Sequence, residues 1–144
     1  MQAGYLIVET RVDRPGFVRI HGTDHQPSLP TGPTQEPDLP RICYVASFAS
    51  LDVALMHAHT ALRRCTIDVE AGLYQTDPVT AIAAVDAIDL DHRPVYLNPD
   101  LAADPKLSAE TERRRQRRRR INRFFNGVGV AAIILLLLKL FLGI

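Results

Sequence analysis

Residues 124–144, FFNGVGVAAIILLLLKLFLGI, constrain this chain more than any other stretch. As a helix at 1.5 Å per residue they extend about 31 Å, close to the hydrocarbon thickness of a bilayer. A soluble helix needs polar residues at helical spacing so that one face can meet water, and residues 128–138 contain none. The remaining chain is too small to bury such a segment on all sides. A C-terminal transmembrane anchor over 124–144 is therefore expected.

Its one charge is Lys139. The lysine lies five residues from the last residue of the sequence, so its stem is expected to snorkel to the far interface. Pairing with an acid in a partner's span is the alternative. Gly127 and Ala131 form a small-xxx-small pair that would let two helices approach closely, and Asn126-Gly127 offers a swivel point.

Immediately before the apolar run lies RRRQRRRRINR. Arg113, Arg114, Arg115, Arg117, Arg118, Arg119, Arg120 and Arg123 form a basic collar. Arginines this close to a span hold their side in the cytoplasm, and they attract anionic headgroups. The expected arrangement is single-pass and tail-anchored, with the N-terminal part cytoplasmic. A bacterial inner membrane is favoured, with a eukaryotic tail anchor as the alternative.

Net charge sharpens the division. Residues 1–112 hold 8 Lys/Arg against 16 Asp/Glu, while residues 113–144 hold 9 basic residues and no acid. An acidic head repels phosphates, so any nucleic-acid contact would have to come from the collar, which lacks interleaved aromatics for base stacking. Eight like charges oppose a helix, so headgroups or acids must neutralise them, and the acidic head could fold back to do so.

The head reads as α+β. Residues 4–12 form a strand, 13–16 (DRPG) a turn and 17–21 a returning strand. Residues 22–40 hold five prolines and read as a surface loop or a docking segment. Residues 41–48 form a buried strand. Ser50 is placed to cap a helix over residues 51–64, with Leu51, Leu55, Ala58 and Leu62 inward. Residues 66–74 alternate as a strand that Ala71-Gly72 can bulge or split into a hairpin. Asp77-Pro78 starts a second helix to about residue 88, with Ala81, Ile82, Val85 and Ile88 inward. A last strand covers 93–97, and Ser108 is placed to cap the helix that enters the collar.

The expected fold is a small mixed sheet with two packed helices. It is ferredoxin-like if 66–74 folds back on itself, and otherwise a three-layer βαβαβ unit with an added hairpin. Domain boundaries fall at 1–100 for the domain, 101–123 for the linker and collar, and 124–144 for the anchor.

Catalytic signals are lacking. Ser47 and Ser50 flank a strand-to-helix turn without a GxSxG pattern, and there is no glycine-rich phosphate loop. His57 and His59, two apart on a helix, point about 200° apart and cannot share a metal. Asp86, Asp89, Asp91 and His92 read as a solvated helix end rather than a cation loop. Cys43 and Cys65 have no metal spacing, and without a signal segment they are expected as reduced, buried thiols.

No catalytic, cofactor or metal residue is therefore assigned. The expectation is a non-enzymatic accessory or regulatory subunit with a membrane-protein partner or a second copy of itself. A membrane-tethered nucleic-acid binder and a membrane-active toxin or lysis-type protein are the alternatives.

Overall fold

A computed structural model describes residues 2–31 and 40–143. Six strands form one sheet: β1 (Gly4–Thr10), β2 (Phe17–Thr23), β3 (Arg41–Phe48), β4 (Thr66–Asp68), β5 (Leu73–Gln75) and β6 (His92–Leu97). Helix α1 (Leu51–Leu62) lies between β3 and β4, and α2 (Pro78–Asp86) between β5 and β6. The short α3 (Pro99–Ala102) follows β6, and α4 (Pro105–Leu142) closes the described chain. The eight residues 32–39 of the proline-rich stretch lie outside the described residues.

The strand order is β4-β5-β2-β1-β3-β6. The segment β3-α1-β4-β5-α2-β6 has the split βαββαβ connectivity of ferredoxin-like folds. The hairpin β1-β2 is inserted between β3 and β5, widening the sheet from four strands to six. All pairings are antiparallel, so the sheet is not mixed in direction. Each βαβ crossover spans three intervening strands, β1, β2 and β5 between β3 and β4 and β2, β1 and β3 between β5 and β6.

Residues 66–74 do fold back. Gly72 turns with φ +65, and its carbonyl accepts from the Ile20 amide at 2.8 Å. A Cβ at Gly72 would lie 2.1 Å from the Ile20 carbonyl oxygen, so glycine is required both by conformation and by space.

Both helices cover one face of the sheet. Leu6, Val8, Val18, Ile20, Tyr44, Ala46, Phe48 and Tyr74 meet Ala54, Ala58 and Leu62 of α1 and Ala81, Ile82 and Val85 of α2 in one core. Alanines at these helix positions bring the backbones close to the sheet. Helix α2 also buries Ala83 and Ala84, which amphipathic periodicity assigns to solvent. The first turns of α4 pack along it and bury Leu107 and Thr111, so α2 is enclosed by sheet, α1 and α4.

Two expected caps differ. Ser50 occupies the N-cap position of α1, but its Oγ is buried without a hydrogen-bond partner. The Leu51 amide donates instead to the Gln2 carbonyl at 2.9 Å, so the N-terminal backbone satisfies a donor of the first turn. Ser108 lies inside α4. That helix starts earlier, with Asp104 accepting from the Lys106 amide at 2.9 Å and Pro105 at the first position. The Asp-Pro pair is the same start signal that Asp77-Pro78 gives α2, where Asp77 accepts from the Thr80 amide at 3.1 Å.

Candidate membrane-proximal site

The C-terminal end of α2 and the start of β6 converge on α4. Asp86, the last residue of α2, is met from three elements. Tyr44 of β3 donates its hydroxyl to Asp86 Oδ1 at 3.1 Å. His92 of β6 places Nε2 3.4 Å from the same oxygen, while its Nδ1 lies 2.8 Å from the Leu90 carbonyl. The imidazole stacks on Phe48 at 5.0 Å between ring centres. From α4, Arg115 Nη2 donates to Asp86 Oδ2 at 3.1 Å and to the Asp86 carbonyl at 3.2 Å. Arg115 thereby brings a cation to the negative end of the α2 dipole. Burial, and after it the neighbouring Asp86 charge, pushes the Tyr44 phenol well above its ordinary value, so it stays protonated and donates.

The acidic cluster at 86–91 is thus not a simple solvated helix end. Arg118 Nε lies 4.0 Å from Asp89 Oδ2, a second contact from the collar to the same turn. Asp91 joins no ion pair among the described residues. Within α4, Glu110 takes Arg114 at 3.0 Å and Arg113 at 3.6 Å, and Gln116 donates to Glu112 at 3.2 Å.

At 100° per residue, Arg114, Arg115 and Arg118 share the face of Leu107 and Thr111, which the domain covers. Arg117 and Arg120 project away. Among the described residues, Arg117, Arg119, Arg120 and Arg123 have no carboxylate within 4.0 Å, so the domain's acids neutralise only one side of the collar.

Helix α4 continues unbroken through Asn126-Gly127, the expected swivel. An 18-residue window of this helix reaches a mean hydropathy of 2.3, and none of that window is buried. This is one helix long and apolar enough to cross a membrane. Phe124 and Phe125 meet edge to face at 5.9 Å at its start. Gly127 faces open space, Ala131 is exposed, and Lys139 lies in the last turn without an ion pair among the described residues.

The other candidates are dispersed. His59 Nδ1 lies 3.5 Å from the Tyr74 hydroxyl, and among the described residues His57 takes part in no such contact. Cys43 is buried in β3 and Cys65 half-buried after α1, both as free thiols. Burial pushes the Cys43 thiol up, against a contact from Thr10 at 3.6 Å. Among the described residues, no group of three His, Cys, Asp or Glu side chains is placed to hold a metal.

Sequence reasoning missed a second charged cluster, on the sheet face away from the helices. Glu9 is 7% exposed, and its carboxylate lies 3.3 Å from both Arg19 and His21. The hairpin register places Glu9 directly opposite Arg19, whereas a turn confined to 13–16 would set Glu9 opposite Ile20, so the pair was not legible from the turn. His21 Nε2 lies within ion-pair distance of Glu9 but is not aligned for a hydrogen bond. Burial holds the His21 ring below the ordinary histidine value, with Glu9 opposing and Arg19 reinforcing.

Comparison with protein-family models, curated proteins and solved structures finds no match to this chain. What fold and site define is a class: an antiparallel α+β domain whose last helix packs on it, carries a basic collar, and runs on as an uncovered apolar segment.

Proposed function

We propose that the chain is a single-span membrane protein that holds its acidic α+β domain at the cytoplasmic surface as a non-enzymatic accessory or regulatory subunit. One observation carries this reading. Helix α4 is continuous from turns packed on the domain, through the collar, into an apolar stretch that none of the described residues covers. Inserting that stretch removes its apolar surface from water at about 25 cal/mol per Å². The outward arginines Arg120 and Arg123 then lie at headgroup depth, with Arg117 just above it and Arg119 beside the domain. Arginines on the N-terminal side of the span favour a cytoplasmic domain.

Because the domain grips the same helix through Leu107, Thr111 and Arg115, it is presented in a fixed pose close to the bilayer rather than on a loose tether. A membrane-protein partner, or a second copy meeting along Gly127 and Ala131, is the expected client of such a platform. The nucleic-acid alternative has less support, because Arg114 and Arg115 are engaged by carboxylates.

The test is fractionation of the full chain expressed in a bacterial host. The protein should stay in membranes washed with alkaline carbonate. The double variant I134R/L136R, which adds about 5–7 kcal/mol to insertion, should be released. A membrane-impermeant maleimide should reach Cys65 in inside-out vesicles and not in right-side-out ones. Release of the unaltered chain by carbonate would refute the anchor, and labelling of Cys65 from the outside would refute the orientation.

A further inference from the structure

Between the α2–β6 turn and α4 lies a crevice of about 290 Å³, lined among others by Asp86, Ile88, Asp89, Arg118, Arg119 and Asn122. Its position is set by α4. Asn122 is two residues before Phe124, so the lower end of the crevice lies about 3 Å along the axis from the first residue of the apolar run. Arg118 and Arg119 stand about 8–9 Å above it. The polar layer on each side of a bilayer's hydrocarbon is about 5–8 Å deep.

Its two walls differ in charge. The α4 wall presents donors: Arg119 and Asn122, which have no hydrogen-bond or ion-pair partner among the described residues, and Arg118, held only loosely at 4.0 Å from Asp89. On the opposite wall Asp86 and the C-terminal end of α2 are taken by Tyr44, His92 and Arg115, whereas Asp89, whose side chain is 73% exposed, keeps free acceptor capacity.

We infer that this crevice binds the headgroup of a zwitterionic aminophospholipid, with the phosphate on Arg118, Arg119 and Asn122 and the primary ammonium on Asp89. The assignment rests on the reading that α4 spans the membrane. Chemistry disfavours headgroups that lack a primary ammonium. A purely anionic lipid would satisfy the arginines, but its uncharged hydroxyls would give Asp89 weaker hydrogen bonds than an ammonium does. A choline headgroup has no N–H to donate to a carboxylate. A quaternary ammonium is held by aromatic cages instead, and no Phe, Tyr or Trp lines the crevice. An ammonium with three donors matches the carboxylate wall. The outward arginines would still attract anionic lipids non-specifically, so the crevice supplies selectivity and the collar supplies attraction.

The experiment is native mass spectrometry of the full chain in mild detergent, with phosphatidylethanolamine, phosphatidylcholine and phosphatidylglycerol of matched chains present equally. One phosphatidylethanolamine should be retained in about fivefold excess over either competitor, the effect of one solvent-exposed ion pair. R119Q should lose the retained lipid. D89N should bring phosphatidylethanolamine down to the phosphatidylglycerol level. Both side chains are exposed, and circular dichroism should report an unchanged fold. Equal retention of the three lipids, or a preference untouched by D89N, would overturn the assignment. Excess soluble phosphoethanolamine should leave the lipid bound, and displacement would assign the site to a free headgroup instead. Vesicle flotation of the same samples separates the two levels. A chain that floats without lipid preference sinks only the crevice site, and a chain that fails to float sinks the membrane reading beneath it.

Discussion

Replacing Asp86 with alanine removes an acceptor that three elements share, and the loss can be estimated group by group. Tyr44 is 2% exposed, so its hydroxyl would be left buried without a partner, at about 1–3 kcal/mol. The His92 side chain, 12% exposed, loses a contact worth about 1 kcal/mol. Arg115 is 44% exposed, so its ion pair contributes at most about 1 kcal/mol. The sum is about 3 kcal/mol, which for a domain of this size lowers Tm by roughly 12 °C or more.

The assay is near-ultraviolet circular dichroism of the full chain in detergent. All four tyrosines lie in the domain and there is no tryptophan, so the signal follows domain unfolding without the apolar helix. D86N keeps an oxygen for the Tyr44 hydroxyl and should lose less than half as much. R115Q should cost under about 1 kcal/mol. The reasoning is refuted if D86N is as damaging as D86A, or if R115Q matches D86A.

Three further outcomes are expected. G72A should destabilise the domain by at least about 2 kcal/mol in urea titration, because strain at positive φ adds to the clash with the Ile20 carbonyl, whereas G16A, at φ +81 in open space, should cost about 1 kcal/mol. His21 is neutral in the fold below the pH at which the unfolded chain takes up its proton. Stability should therefore fall as pH drops below about 6.5, levelling off once the folded ring also charges, and H21Q should flatten that slope in urea midpoints measured from pH 7.5 to 5.5. Under native conditions alkylation should modify Cys65 first and reach Cys43 only on unfolding, as read by peptide mass, since Cys43 is buried with a raised thiol pKa.

Much of this molecule was legible because the decisive signals are local. Asp77-Pro78 marks a helix start, 13–16 a turn, and 124–144 an apolar helix, whatever surrounds them. The hairpin at 66–75 followed from one glycine. Ser50 and Ser108 misled because a serine before an apolar run caps only if no other group takes the job. At Ser50 the Gln2 carbonyl, just ahead of β1 and distant in sequence, takes the Leu51 amide. At Ser108 a stronger start signal lies four residues earlier. The extra burial of Ala83 and Ala84 could not be read from periodicity within α2, since it comes from α4 packing on the outer face. The acidic turn at 86–91 and the arginines each stood out in the sequence. Their meeting depends on β6 bringing His92 back beside α2, which is tertiary information.

The most direct test of the central claim is a depth profile along α4. Single spin labels from residue 113 to residue 142 of the full chain in lipid vesicles would be read for access by oxygen and by a polar relaxant. A spanning helix predicts polar access over the outward collar, falling beyond residue 124, and one broad oxygen maximum near residues 130–136 without helical periodicity in depth. A depth that oscillates every 3.6 residues along 124–142 would mean a helix lying in the interface, and a segment reached by neither reagent would mean burial in protein. Either result would contradict a membrane span.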